Sequence, residues 1–190
     1  MPALESGRRQ PKAKNLIGVG WTPRLGSLKR SPIQTTPHST HLIPTTMART
    51  SIWFHFAAGK AEEAFLFYQS VFKTEFIGPI KRFGDLPIGP GQPPWSAETA
   101  KMVMNISLPI LGGVVITGND APSEMGPLIL GNNVTVYLEP DSRAETDRLF
   151  AALKVGGTVE YEPVEMPWGG YWGSLIDRYG NEWMFSCTAK

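Results

Sequence analysis

One cysteine, three histidines and no long apolar run mark this 190-residue chain. The single thiol, Cys187, excludes an internal disulfide and fits a reducing compartment, so a cytoplasmic protein is expected. Its place in a terminal strand makes it a small packed hydrophobe rather than a nucleophile. No stretch approaches the roughly 18–20 apolar residues that cross a bilayer, and Asn15-Leu-Ile-Gly-Val-Gly-Trp21 is too short and too polar for a signal core. Phosphate loop, nucleophile elbow and Cys/His metal spacing are all missing. Gly18-Val-Gly20 has neither a preceding strand nor the third glycine of a nucleotide fingerprint.

A dominant charge is lacking too, since the net value is +1. That figure hides a division. Seven basic residues stand against Glu5 alone before Met47, giving +6, and the remainder carries −5. An acidic body offers no clustered Lys and Arg for phosphate contacts, which excludes a nucleic-acid surface. The first 46 residues combine six prolines with Ser and Thr and show no apolar periodicity. They cannot bury enough surface to offset chain entropy, so residues 1–47 are expected to be a disordered extension and 48–190 a single domain. The extension reads as an upstream addition with Met47 as the true start, as a basic acid-poor presequence, or as a tail that touches a partner; the first is favoured because the folded pattern begins near Met47. His38 and His41 lie in it and receive no role.

What is present is one pattern written twice. The alternating strand Ser51-Ile-Trp-Phe-His-Phe56 leads through Gly59 into a helix ending at Phe72, with Ala61, Ala64, Phe65 and Tyr68 on one stripe. Strands are expected at Lys101–Leu108 and Gly113–Thr117, after a Pro/Gly-rich loop from Leu86 to Trp95. The pattern restarts at Asn133-Val-Thr-Val-Tyr-Leu138 and continues into a helix carrying Leu149, Phe150 and Leu153. Ser142-Arg-Ala-Glu145 opens that helix as a capping box and Gly156-Gly157 stop it. Thr158–Glu162, Tyr171–Ile176 and Glu182–Cys187 complete the second half, with Asp177 to Asn181 as a hairpin turn. Two strand-helix-strands units therefore make an α+β fold, with the two sheets curled around a shared concavity and the helices outside.

Six segments carry a more specific likeness: Gly59 to Phe72, Gly118-Asn-Asp-Ala-Pro122, Gly131-Asn-Asn-Val134, Asp147 to Leu153, Trp168-Gly-Gly-Tyr-Trp-Gly173 and Asp177-Arg-Tyr-Gly-Asn-Glu-Trp183. In this order they resemble the PhnB-like branch of the vicinal oxygen chelate superfamily, which includes glyoxalase I, extradiol dioxygenases and the bleomycin and fosfomycin resistance proteins. The resemblance implies two β-α-β-β-β modules forming a cupped, barrel-like mixed sheet, a homodimer and a cupped site for a small-molecule ligand. Metal-using members hold a divalent cation with His and Glu from the first and last strands of each module. Matching the motifs puts the corresponding positions at Trp53, Asn133 and Met184, with Ile116 in the first module. None of these is His, Asp or Glu. A two-residue slip would substitute His55 and Glu182, which is still short of the three or four ligands required.

Strand alternation turns Phe54 and Phe56 toward the helix and Trp53 and His55 toward the cup, and likewise turns Val134, Val136 and Leu138 outward and Asn133, Thr135 and Tyr137 inward. His55 is the candidate proton-transfer residue, or else a hydrogen-bonded core histidine. Asn133 either satisfies backbone or holds a ligand oxygen through its amide. Trp168 to Gly173, with large rings between glycines, makes a pocket wall, or else a tightly packed hairpin or a dimer seam. On the first view Tyr171 brings its hydroxyl to the ligand while Trp172 faces away. Trp53, Trp168, Tyr171 and Met184 would line the cup. Glu160, Glu162 and Glu165 are spaced as surface residues, and Asp147-Arg148 as an exposed helix pair.

No cofactor is expected. A divalent metal, for a lyase or dioxygenase, is the first alternative. S-adenosylmethionine is the second, because the label 3-demethylubiquinone-9 3-methyltransferase is common in this branch; no glycine-rich strand-turn-helix for it exists in the sequence. A non-catalytic dimerisation module is the third.

Overall fold

Aromatic side chains alternating with polar ones make Ser51–Ala57 a strand (β1) with one dry face, Phe54 and Phe56, and one exposed face. The computed structural model describes residues 49–188, so the expectations for the first 46 residues, including His38 and His41, lie outside the described residues. Helix α1 spans Ala61–Phe72 and buries Ala61, Ala64, Phe65, Tyr68 and Val71. Three strands follow, β2 (Lys81–Arg82), β3 (Val103–Pro109) and β4 (Val115–Ala121). The second module repeats the order with β5 (Val136–Leu138), α2 (Arg143–Leu153), β6 (Thr158–Glu165), β7 (Tyr171–Ile176) and β8 (Glu182–Cys187).

Each module forms a four-stranded mixed sheet, ordered β1-β4-β3-β2 and β5-β8-β7-β6, with the first pair parallel and the others antiparallel. The sheets are cupped and do not close into barrels. The helix-facing sides of both modules share one core that runs from Phe54 and Phe65 to Leu149, Trp183 and Phe185. Gly118 is required in that core, because a Cβ there would stand 2.6 Å from the Phe65 ring. Gly156, at φ +76°, turns the chain after α2 where an L-residue would be strained.

A buried polar knot joins the modules. Asp177 Oδ2 accepts hydrogen bonds from the Tyr68 hydroxyl (2.6 Å) and from Trp183 Nε1 (2.8 Å), while Oδ1 accepts from the backbone N–H groups of Tyr179 and Asn181. Asn181 Nδ2 donates to the Tyr68 oxygen at 2.8 Å. Four donors satisfy a carboxylate that is only 3% exposed. Burial first, and the Asp177 charge second, push the Tyr68 phenol well above its ordinary range.

Several expectations change. β4 begins two residues later than expected and runs to Ala121, so Asn119 and Asp120 belong to a strand, and the two-residue β2 had not been anticipated. β5 starts at Val136 rather than Asn133, because its parallel partner β8 starts at Glu182 and the chain before it turns away through Asp177–Asn181. Val134 is consequently exposed instead of helix-facing. Only half of the capping box forms. Ser142 Oγ accepts from the Glu145 N–H, but the Glu145 carboxylate takes Arg148 instead. Arg148 is also no simple exposed residue, since it donates to the Val71 carbonyl at the end of α1, where a cation suits the helix terminus.

Candidate functional site

Residues opposite the helices in the first module are Trp53 and His55 on β1, Ser107 on β3, and Thr117 and Asn119 on β4, as the register Trp53↔Thr117, His55↔Asn119 and Ser107↔Thr117 requires. Ile116 is on the other side and fully buried, so its expected place at the inner face passes to Thr117; β4 enters the sheet with the opposite parity to that read from the sequence. The inner face is a polar surface held in order. Trp53 Nε1–H donates to Asn119 Oδ1 at 2.6 Å, and Asn119 Nδ2 donates to the Asp120 carbonyl at 2.7 Å, which fixes the carboxamide. The Ser107 and Thr117 hydroxyls bond to each other at 3.2 Å. The His55 side chain is exposed and makes no hydrogen bond to another described residue.

Three hollows run along this surface. One of about 250 Å³ brings Trp53, His55, Asn133 and Glu182 together with Leu130 and Val134 of the segment between the modules. A second, about 200 Å³, lies between His55, Asn119, Met125 and Ile129, so the imidazole lines both. The third, about 620 Å³, is bounded by Ser51, Ser107, Thr117, Gly113 and Arg49. Three residues singled out from sequence, Trp53, His55 and Asn133, thus share one cavity, and Leu128, Ile129 and Leu130, which help to wall it, carry no pattern that the sequence reading could assign to a site.

The other named residues stand elsewhere. Met184 is half-buried on the inner face of the second module, paired with Tyr137 across β5 and with Ser174 across β7. Trp168 is 72% exposed in the turn between β6 and β7 and lines none of the three hollows. Tyr171 is on the helix side. Its partner Cys187 is buried there, its hydroxyl donates to Asp147 at 2.7 Å, and Arg143 lies 5.5 Å above its ring. That bond is the main reason the Tyr171 phenol is raised. Trp172 faces the concave side instead, with its ring 5.4 Å from that of Tyr161. The strand boundary had been placed correctly; its two faces had been exchanged. Asp147 is correspondingly tied across to β7 rather than freely solvated.

Among the described residues no three His, Cys, Asp or Glu side chains gather so as to hold a metal ion. His55, Glu182 and Asn133 offer one imidazole, one carboxylate and one carboxamide in a shared cavity, a donor set that does not fit a three- or four-ligand divalent centre within one chain. The turn from β1 to α1 carries Gly59 alone, without the glycine-rich loop that cradles a nucleotide-type cofactor.

No family model and no curated protein matches the chain. Solved structures do. Protein PA1353 from Pseudomonas aeruginosa is 26% identical with a TM-score of 0.64, over 76% of this chain and all of that one. A Bacillus cereus protein described as a putative 3-demethylubiquinone-9 3-methyltransferase, PhnB protein, is 23% identical with a TM-score of 0.57, over 74% of this chain and 99% of that one. The fosfomycin resistance protein FosX from Listeria monocytogenes is 14% identical with a TM-score of 0.50, over 76% and 95%. With these proteins the chain shares the paired-module fold of the vicinal oxygen chelate superfamily.

Proposed function

We propose that this protein, working in the cytoplasm, binds a small, partly apolar molecule in the concavity of its sheets and does so without a divalent-metal centre. The observation that carries this is the cavity shared by Trp53, His55, Asn133 and Glu182, where an indole wall meets an imidazole, a carboxamide and a carboxylate. An apolar lining with a few convergent polar groups is the usual make-up of a small-ligand site. Met184, Tyr137 and Trp172 share the inner face of the second sheet and would supply apolar surface to a ligand that extends beyond this cavity. His55, its side chain exposed and without a hydrogen bond to the described residues, is the group able to take or give a proton at a ligand atom, and Asn133 the one able to orient a ligand oxygen.

The working form is a homodimer. Tyr137, Tyr161 and Val164 stand half exposed or more on the inner face of the second sheet, and Trp53 is 47% exposed on that of the first, which leaves more apolar surface open than scattered single residues explain. A second copy would cover them and close the cup.

Native mass spectrometry of freshly purified protein reports subunit mass, bound metal and any retained compound together. The expected result is a dimer carrying an organic adduct and no stoichiometric metal. A metal-loaded protein whose ligand binding disappears on chelation would replace this reading by the lyase or dioxygenase one. Heat release on titrating S-adenosylmethionine would favour the methyltransferase label.

A further inference from the structure

A second, chemically different site lies away from the concavity, on the connection between β2 and β3. There the Pro/Gly-rich loop folds back on itself and leaves a hollow of about 360 Å³, bounded by Leu86, Pro87, Ile88, Pro94 and Trp95 and by the carboxylate of Glu124. That volume is in the range of small-ligand pockets. Phe83 packs edge-on against Trp95, with ring centroids 5.2 Å apart, and so fixes the plane of the indole. The prolines stiffen the opposite wall, because each holds φ near −65°.

Glu124 is the only charged residue on this wall among the described residues. Its Oε1 accepts a hydrogen bond from the Thr99 hydroxyl at 2.8 Å; Thr99 in turn is bonded to Ser96, the neighbour of Trp95, through both its hydroxyl and its N–H at 3.0 Å. Ser123 Oγ donates weakly to Oε2 at 3.3 Å. Thr99 is 2% exposed, so the relay from carboxylate to indole segment is a fixed one. Hydrogen bonds, first from its own backbone N–H and then from Thr99, hold the Glu124 carboxyl below the usual carboxylate range. No Lys, Arg or His pairs with it among the described residues.

We infer that this hollow is a binding site for an organic ammonium ion carried on an apolar body. An indole face and a fixed, unpaired carboxylate are the two groups that attract such a cation, and aliphatic and proline walls suit the remainder of the molecule. A neutral or anionic ligand of the same shape would gain the walls and lose the charge.

Benzyltrimethylammonium, benzyl alcohol and phenylacetate form a probe series of similar shape and different charge. The readout is the set of tryptophan indole N–H resonances of the full chain, with the Trp95 signal assigned by its disappearance in Trp95→Phe. The cation should shift the Trp95 signal saturably, benzyl alcohol more weakly, and phenylacetate not at all. Glu124→Gln keeps an oxygen for the Thr99 hydroxyl and should weaken cation binding about five-fold, and raised salt should weaken binding to the wild type but not to the variant. Equal response to all three probes, no saturable Trp95 shift, or unchanged binding in Glu124→Gln would each overturn the inference. So would a response confined to Trp53, which would move the cation to the concavity and leave the proposed function standing.

Discussion

The two modules share an order of elements but not the means of holding them. In the first, α1 has no side-chain cap of its own. Asp120, reaching from β4, accepts the Ala61 N–H through Oδ1 and the Val103 N–H through Oδ2, both at 2.8 Å, and so pins helix start and β3 together. In the second, α2 is capped from within by Ser142. The inner faces differ in the same spirit. The first is a hydrogen-bonded layer of Trp53, Asn119, Ser107 and Thr117, while the second presents Tyr137, Met184 and the Tyr161–Trp172 pair. A duplicated scaffold has thus kept its outer packing and divided its inner surface, one half dominated by hydrogen-bonded polar groups and the other by aromatic and thioether groups.

Substitutions can break or sharpen that contrast. The largest effect is expected at the knot common to both modules. Asp177→Asn places an amide group against donors and should cost about 3 kcal/mol in urea denaturation, since hydrogen bonds to a charged group are the strong ones. Retained stability would mean that the modules are not joined there. Next comes the difference in helix anchoring. Asp120→Asn should lose about 2 kcal/mol and Ser142→Ala about 1 kcal/mol, and the reverse order would undo the comparison. Trp53→Phe, which removes one half-exposed donor to Asn119, should cost about 0.5–1 kcal/mol and leave the fold intact by circular dichroism.

At neutral pH the phenols contribute no slope, yet they set the alkaline limit. Burial first, then the nearby Glu63 charge, pushes Tyr179 up to about 12, and Tyr68 is raised as well. Because the folded state keeps protons that the unfolded chain releases near its ordinary phenol value of about 10, stability is full below that pH and falls as pH rises toward 12. Tyr179→Phe should flatten part of that decline in pH-dependent melting curves.

Much of the scaffold is legible in the sequence, because aromatic and aliphatic periodicity records burial directly. α1, β7 and β8 were placed to within a residue, and the alternation of Phe54 and Phe56 with Trp53 and His55 came through intact. The errors fell where pairing, not propensity, decides. β5 is cut short by the turn of its partner, and β4 carries four consecutive buried residues after Ile116, so alternation gives no parity there. Tyr171 and Trp172 are both large and both half-buried, which leaves the sequence no means of telling the sides apart; the register with Cys187 and Ser186 does. The Leu128–Leu130 part of the wall was invisible for another reason, since its contribution comes from position across a cavity rather than from any local pattern.

Tyr68 has its hydroxyl on Asp177 and its ring 5.6 Å from that of Trp183, so neither half owns a complete interior. Each would present a severed aromatic surface if expressed alone, and heat should melt the described domain in a single calorimetric step. A gene for this protein can therefore vary its rim one half at a time, but it inherits the two halves as an indivisible folding unit.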